Sequence, residues 1–221
     1  VPVSMAAEGD RDVAVFVLPK KRNKGKAVAV MLGSIVRERT AEMRGVRLLT
    51  GAPLGDKNIR SQVEGFTNAG FKALNTGGDG TASFDQAHAL LESHPDVGGA
   101  RLHARVAKGL GVSKTMSGAK VEGQQWIKRS LLLYDQQSAR QYAYTVEVHE
   151  AYQRANREIL DMAKGSLAVK SIPSGAEGIL NGVFKGYTPI TLQNIAAGHH
   201  FLELRSDGYK RWTSSPVLKE G

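Results

Sequence analysis

A chain of 221 residues suits one large domain or two to three small ones, and 41% hydrophobic with 23% charged residues is ordinary globular composition. It contains no cysteine, which excludes a disulfide framework, cysteine-ligated metals and a thiol nucleophile. No run approaches the roughly 18 consecutive apolar residues that a membrane helix needs. The formal charge is +9, and from Gly165 onward six Lys/Arg face four Asp/Glu, so most of the surplus lies upstream. A basic surface favours anionic partners such as nucleic acid, lipid head groups or acidic proteins, and it also serves plain solubility. Val1 to Ala7 lacks the basic start and long apolar core of a secretion signal. Because the chain opens on Val1, that says little about export.

The first segment, 1–57, is expected to be a small α/β domain. Val13 to Leu18 is an apolar run before Pro19 and reads as a buried strand. In Ala27 to Thr40, Val28, Met31, Leu32, Ile35 and Val36 recur at helical spacing. Val46 to Leu49 reads as a second strand, and strand, helix, strand predicts a parallel pair. The layout of Val13, Val15, Val17, Pro19, Leu32, Ile35 and Val46 to Leu49 resembles the small N-terminal α/β domain of TolB and related envelope proteins. Between strand and helix, Lys20 to Lys26 carries five positive charges in seven residues. Such a run can grip phosphates, but no aromatic residue is interleaved for base stacking, so it reads as a solvated loop. Nucleic acid is not the expected partner.

Residues 58–164 read as helical hairpins. Ile59, Val63, Phe66, Gly70 and Leu74 follow a helical period, which then meets Thr76-Gly77-Gly78-Asp79-Gly80-Thr81. The string Gly77 to Thr81 resembles the nucleotide-phosphate motif of the diacylglycerol kinase and NAD kinase families. That resemblance implies phosphate binding by Lys24, Lys26, Gly77, Gly78, Asp79, Gly80 and Thr81, with Asp79 near a metal. It requires a buried strand entering the motif, where the pattern here is helical. The Asn-Pro-x-Ser-Gly and Gly-Thr-Gly-Asn-Asp segments of such kinases are also missing. The competing reading is a Gly-rich loop between two helices, with Asp79 to Ser83 approaching the next N-cap.

Further helices are expected through Phe84 to Glu92, around Leu102, Val106 and Leu110, around Trp126 to Leu133, and from about Ala139 to Lys164. Phe84-x-x-Ala87-x-x-Leu90-Leu91 with a following proline resembles half of a tetratricopeptide repeat, and Gln125 to Tyr134 resembles a degenerate second copy. The resemblance implies a groove that binds peptides or partner domains; a plain supporting bundle fits the pattern equally well. Within such a groove, Trp126, Tyr134 and Tyr142 are the candidate partner-binding residues.

The last segment, 165–221, is expected to be all-β. Leu167, Val169 and Ile172 mark a strand, Pro173 to Ala176 breaks it, and Asn181-Gly182 is a two-residue hairpin signal. His199 to Leu204 reads as one alternating strand, with His199 and Phe201 on one face and Leu202 and Leu204 on the other. A last strand holds Trp212 and Val217. Pro173-Ser174-Gly175-Ala176, Asn181-Gly182, Gly186, Thr188-Pro189, Leu192, Gly198 and Gly208-Tyr209 resemble the PEGA domain family, whose naming motif has Glu where Ser174 stands. The resemblance covers about a quarter of the chain. It implies a small β-sandwich, mostly of bacterial envelope and surface proteins, acting as a non-catalytic accessory.

The sequence shows no coherent catalytic set. Six histidines are present, but His149-Glu150 lacks the second histidine of a zincin, and His199-His200 point to opposite faces of a strand. Ser117-Gly-Ala-Lys120 has no Ser-Asp-Asn or Lys-Thr-Gly partner. No metal site and no cofactor are expected. The whole reads as an α+β multidomain protein: small α/β domain, TPR-like helical hairpins, C-terminal PEGA-like β-sandwich. Its expected work is non-catalytic scaffolding of other envelope proteins, and of anionic surfaces such as lipid head groups or cell-wall polymer. The expected location is the periplasm or the outer membrane. A phosphate-binding, kinase-like enzyme is the rival.

Overall fold

A computed structural model describes residues 11–14, 35, 39, 46–49, 56–134, 145–206, 209 and 211–219. Strands β1 (Arg11–Ala14) and β2 (Val46–Leu49) run parallel, in the pairing expected of strand, helix, strand order. Between them Ile35 and Arg39 are helical; the basic run from Lys20 to Lys26 lies outside the described residues.

Among the described residues five helices follow: α1 (Lys57–Asn75), α2 (Thr81–Ser93), α3 (Gly99–Met116), α4 (Lys120–Leu133) and α5 (Val146–Asp161). Short connections after α1, α2 and α3 fold each helix back beside its predecessor. Apolar residues at helical spacing on each helix meet in one core, with Val63, Phe71, Phe84, Leu91, Leu110, Ile127 and Val148 buried in it. Helix α3 is the centre: most of its residues are buried, including polar His103, Lys108, Ser113 and Thr115.

Small residues let its neighbours come close. A Cβ on Gly111 would lie 2.6 Å from Ile127 Cγ1 and 3.0 Å from the Gly123 carbonyl oxygen, so α3 and α4 touch nearly backbone to backbone. The Ser130 hydroxyl seals the pair by donating to the Ala104 carbonyl at 2.7 Å. Helix α5 starts at Val146 after its extended N-cap Thr145, later than the expected start near Ala139, which lies outside the described residues. It ends at Asp161, short of the expected Lys164, because Lys164 already pairs in a strand.

Eight strands come next among the described residues: β3 (Lys164–Val169), β4 (Glu177–Leu180), β5 (Val183–Tyr187), β6 (Ile190–Ala196), β7 (Gly198–His199), β8 (Leu202–Arg205), β9 (Trp212–Ser214) and β10 (Val217–Leu218). One sheet has the order β1-β2-β5-β4-β8-β9; β3 pairs with β6, and β7 with β10. Val169, Leu180, Leu192 and Leu202 fill the space between the β3-β6 pair and the larger sheet. Leu49 of β2 pairs antiparallel with Val183, so the N-terminal strands extend this C-terminal sheet.

Two details of the β region also differ from expectation. His199 to Leu204 is not one strand: β7 and β8 are separated by His200 and Phe201, because Phe201 turns away into a cluster with helical Ala100, Ala104 and Leu133. The expected last strand is likewise two, since Trp212 belongs to β9 beside β8 and Val217 to β10 beside β7.

Candidate functional site

The Gly77–Thr81 loop is occupied by ending one helix and starting the next. Gly77 N–H donates to the Leu74 carbonyl at 3.1 Å and Gly78 N–H to that of Ala73 at 2.8 Å. With φ +79° at Gly77, this is a Schellman closure of α1. Asp79 opens α2. Its Oδ1 accepts from the Thr81 N–H at 2.8 Å, the Thr81 hydroxyl at 2.6 Å and the Ser113 hydroxyl at 2.7 Å. These bonds, led by the Thr81 hydroxyl, hold its carboxyl below the usual range. A Cβ on Gly80 would lie 2.6 Å from the Gly70 carbonyl oxygen and 2.8 Å from the Phe84 ring, so loop and helix touch there.

The motif is therefore entered by helix α1, not by the buried strand that the kinase resemblance requires. Lys24 and Lys26 lie outside the described residues. Asp79→Ala is expected to lower thermal stability by about 1 kcal/mol, as loss of a helix cap does, read by circular dichroism melts.

Trp126 and Tyr134 both sit on or beside α4 but serve different clusters. Trp126 is half-buried against the helical core; its ring meets His88 of α2 edge-on at 4.8 Å, and the Arg129 guanidinium stacks at 5.0 Å. Tyr134 caps the C-terminus of α4 and packs with Phe201 and Leu133, with Arg101 6.0 Å from its ring. Tyr142 lies outside the described residues.

The helices and the β region meet through a built junction. Asn181 has φ +54° in the β4-β5 hairpin, where it tolerates the left-handed region. Its Oδ1 accepts from the Phe201 N–H at 2.9 Å; its Nδ2 donates to the Leu132 carbonyl on α4 at 2.8 Å and reaches His200 Nδ1 at 2.9 Å. His200 Nε2 in turn meets the Ala196 carbonyl at 2.7 Å, so the ring is neutral with its proton on Nε2. Phe201 packs against the His103 ring at 4.9 Å, and Arg211 donates to the Asp96 carbonyl. The hairpin signal was visible in the sequence; that the same asparagine fastens two regions together was not.

A second feature escaped sequence reasoning altogether. At one end of the β region a cleft of about 430 Å³ opens between β3 and the β8-β9 edge, lined by Val169, Lys170, Ile172, Arg205, Tyr209 and Trp212 among others. Its members come from three separate stretches, and Ile172, Tyr209 and Trp212 are all exposed there.

Among the described residues, no three His, Asp or Glu side chains are grouped to hold a metal ion, and no helix is long and apolar enough to cross a membrane. Lys108, buried on α3, has its amine lowered to about 8 by burial. No curated protein and no solved structure shows a match to the chain. The family model of the PEGA domain matches residues 164–219, so the family accounts for the C-terminal quarter of the chain, from β3 through β10.

Proposed function

We propose that this protein is a non-catalytic scaffold of the bacterial cell envelope, at work in the periplasm or on the outer membrane. The PEGA domain is a non-catalytic, often extracellular domain, and this supports the reading. The observation that carries it is the junction at Asn181 and Phe201, which fixes that domain onto a helical bundle. Fastened modules without a coherent catalytic set fit holding partners better than converting a substrate. In this reading α1 to α5 act as TPR-like hairpins that present a surface to other envelope proteins, with Trp126 and Tyr134 among the anchors. The surplus of positive charge adds attraction to anionic lipid head groups or cell-wall polymer.

The test is capture from a bacterial envelope extract by the tagged chain, beside an ATP titration by calorimetry. A discrete envelope protein, its capture weakened by Trp126→Ala in a variant that melts normally, is the expected result. ATP heat that disappears in Asp79→Ala would overturn the proposal.

A further inference from the structure

We propose that the cleft at the end of the β region binds an extended peptide with alternating apolar and acidic side chains, added as a strand beside β3. This rests on the scaffold reading and names one kind of partner for it. Three observations carry it.

The first is apolar exposure gathered in one place. Ile172 is fully exposed, Tyr209 60% and Trp212 51%, and all three line the same cleft. Exposed aromatic and branched side chains converging on a concavity are the anchors that binding sites use.

The second is charge. Lys170 and Arg205 line the cleft, and none of its lining residues is acidic. One nearby carboxylate, Glu203, is buried and shared by two guanidiniums: it pairs with Arg205 and lies 3.6 Å from Arg211. Glu177 lies opposite Arg205 on β4, but neither it nor Glu203 lines the cleft, so the charged groups the cleft itself presents are Lys170 and Arg205, which a ligand carboxylate would complement.

The third is backbone. Among the described residues β3 pairs only with β6, and β9 only with β8, so the cleft opens between two sheet edges. The C-terminal half of β3, Ala168 and Val169, lines the cleft itself. A sheet edge presents N–H and C=O groups to an incoming chain, and alternate side chains of an added strand would point into the concavity. Apolar side chains would meet Ile172, Tyr209 and Trp212, and an acidic one would meet Lys170 and Arg205. A lipid or a glycan would use the charge and the aromatics but has no use for the strand edge.

The test uses the full chain and three fluorescent octapeptides: alternating Glu-Val, alternating Lys-Val, and Glu-Val with alternate backbone nitrogens methylated. Binding is read by fluorescence anisotropy. The Glu-Val peptide is expected to bind saturably, at least about tenfold tighter than Lys-Val, and to weaken as salt rises. Trp212→Ala and Lys170→Glu, checked for unchanged melting, are each expected to weaken it about tenfold or more. N-methylation, which blocks edge pairing, is expected to abolish binding. Equal binding of Lys-Val, undiminished binding of the methylated peptide, or binding only to phosphatidylglycerol vesicles would each overturn the proposal, as would no binding at all. Envelope capture by Trp212→Ala separates the two readings. Failure of the peptides with capture intact removes only the cleft, whereas loss of capture by the unaltered chain removes the scaffold.

Discussion

Phe84→Ala is expected to lower the unfolding free energy by about 3–5 kcal/mol, the usual cost of emptying a buried aromatic site. The ring is wholly buried and meets Phe71 edge-on at 4.9 Å. It is also surrounded by backbone that cannot close over a void. Cβ atoms built on Gly70 and Gly80 would lie 2.7 and 2.8 Å from it, and one on Gly109 would fall within the ring's own contact surface. Three chain segments have thus given up side chains to admit one ring. Urea unfolding followed by far-ultraviolet circular dichroism would measure the loss, and a change under about 1 kcal/mol would show that the site collapses freely. The converse experiment sharpens the point. Gly109→Ala would gain up to about 1 kcal/mol of helix propensity on an open helix, yet here it is expected to destabilise. In a Phe84→Leu background that cost is expected to shrink, and a double-mutant cycle would show the two positions to be coupled.

Acid is expected to weaken the fold by about 3 kcal/mol between pH 6.5 and pH 4 through His103 alone. Burial, and next the Arg129 charge, push this imidazole from its ordinary value down to about 4. Its folded pKa is the lower one, so over that window the unfolded chain binds the proton and the folded chain does not. The contribution is therefore complete above pH 6.5, falls as pH drops towards 4, and levels off below.

His88 and His199 face the same Arg129 charge and are also lowered, chiefly by burial, and so act with the same sign. Glu92, 3.2 Å from His88, opposes in part. His200 is lowered by burial, and protonation of its Nδ1 would end its acceptance from Asn181. Urea unfolding at a series of pH values would show the slope, and His103→Gln, which cannot titrate, is expected to flatten it. An unchanged slope in that variant would place the acid response elsewhere.

What could be read from the sequence was what short-range physics dictates. The helical period of Ile59, Val63, Phe66, Gly70 and Leu74 locates α1 because one face must be buried, and the core confirms it. Asn181-Gly182 gave the hairpin because only a few residue types accept φ above zero at both positions. β6 was harder: Ile190, Leu192 and Ile195 are interrupted by Gln193 and Asn194, and Asn194 takes φ +58° where the alternation breaks.

The motif at Gly77 admits two readings for an instructive reason, and the helix-to-helix loop that the surrounding pattern favoured is the one found. A phosphate loop and a helix-to-helix turn both need glycines, and what decides between them lies elsewhere in the chain, in Ser113 and the Phe84 ring. Phe201 likewise looked like a strand residue because its destination, Ala104 and Leu133, is nearly 70 or more residues away. The cleft had no sequence signature, since Lys170, Arg205 and Trp212 acquire a common purpose only once β3, β8 and β9 are side by side.

The fastening at Asn181 also fixes a length scale. Modules strung on a flexible linker explore a volume, and a partner held by one meets the other at a concentration set by chain statistics. Here the α4 carbonyl of Leu132, the Asn181 amide and the Phe201 ring leave no such slack. Two partners seated at once, one on the helices and one in the cleft, would be held at a constant separation and a constant angle. The protein would then behave as a gauge, admitting pairs whose own dimensions match the span and excluding those that do not.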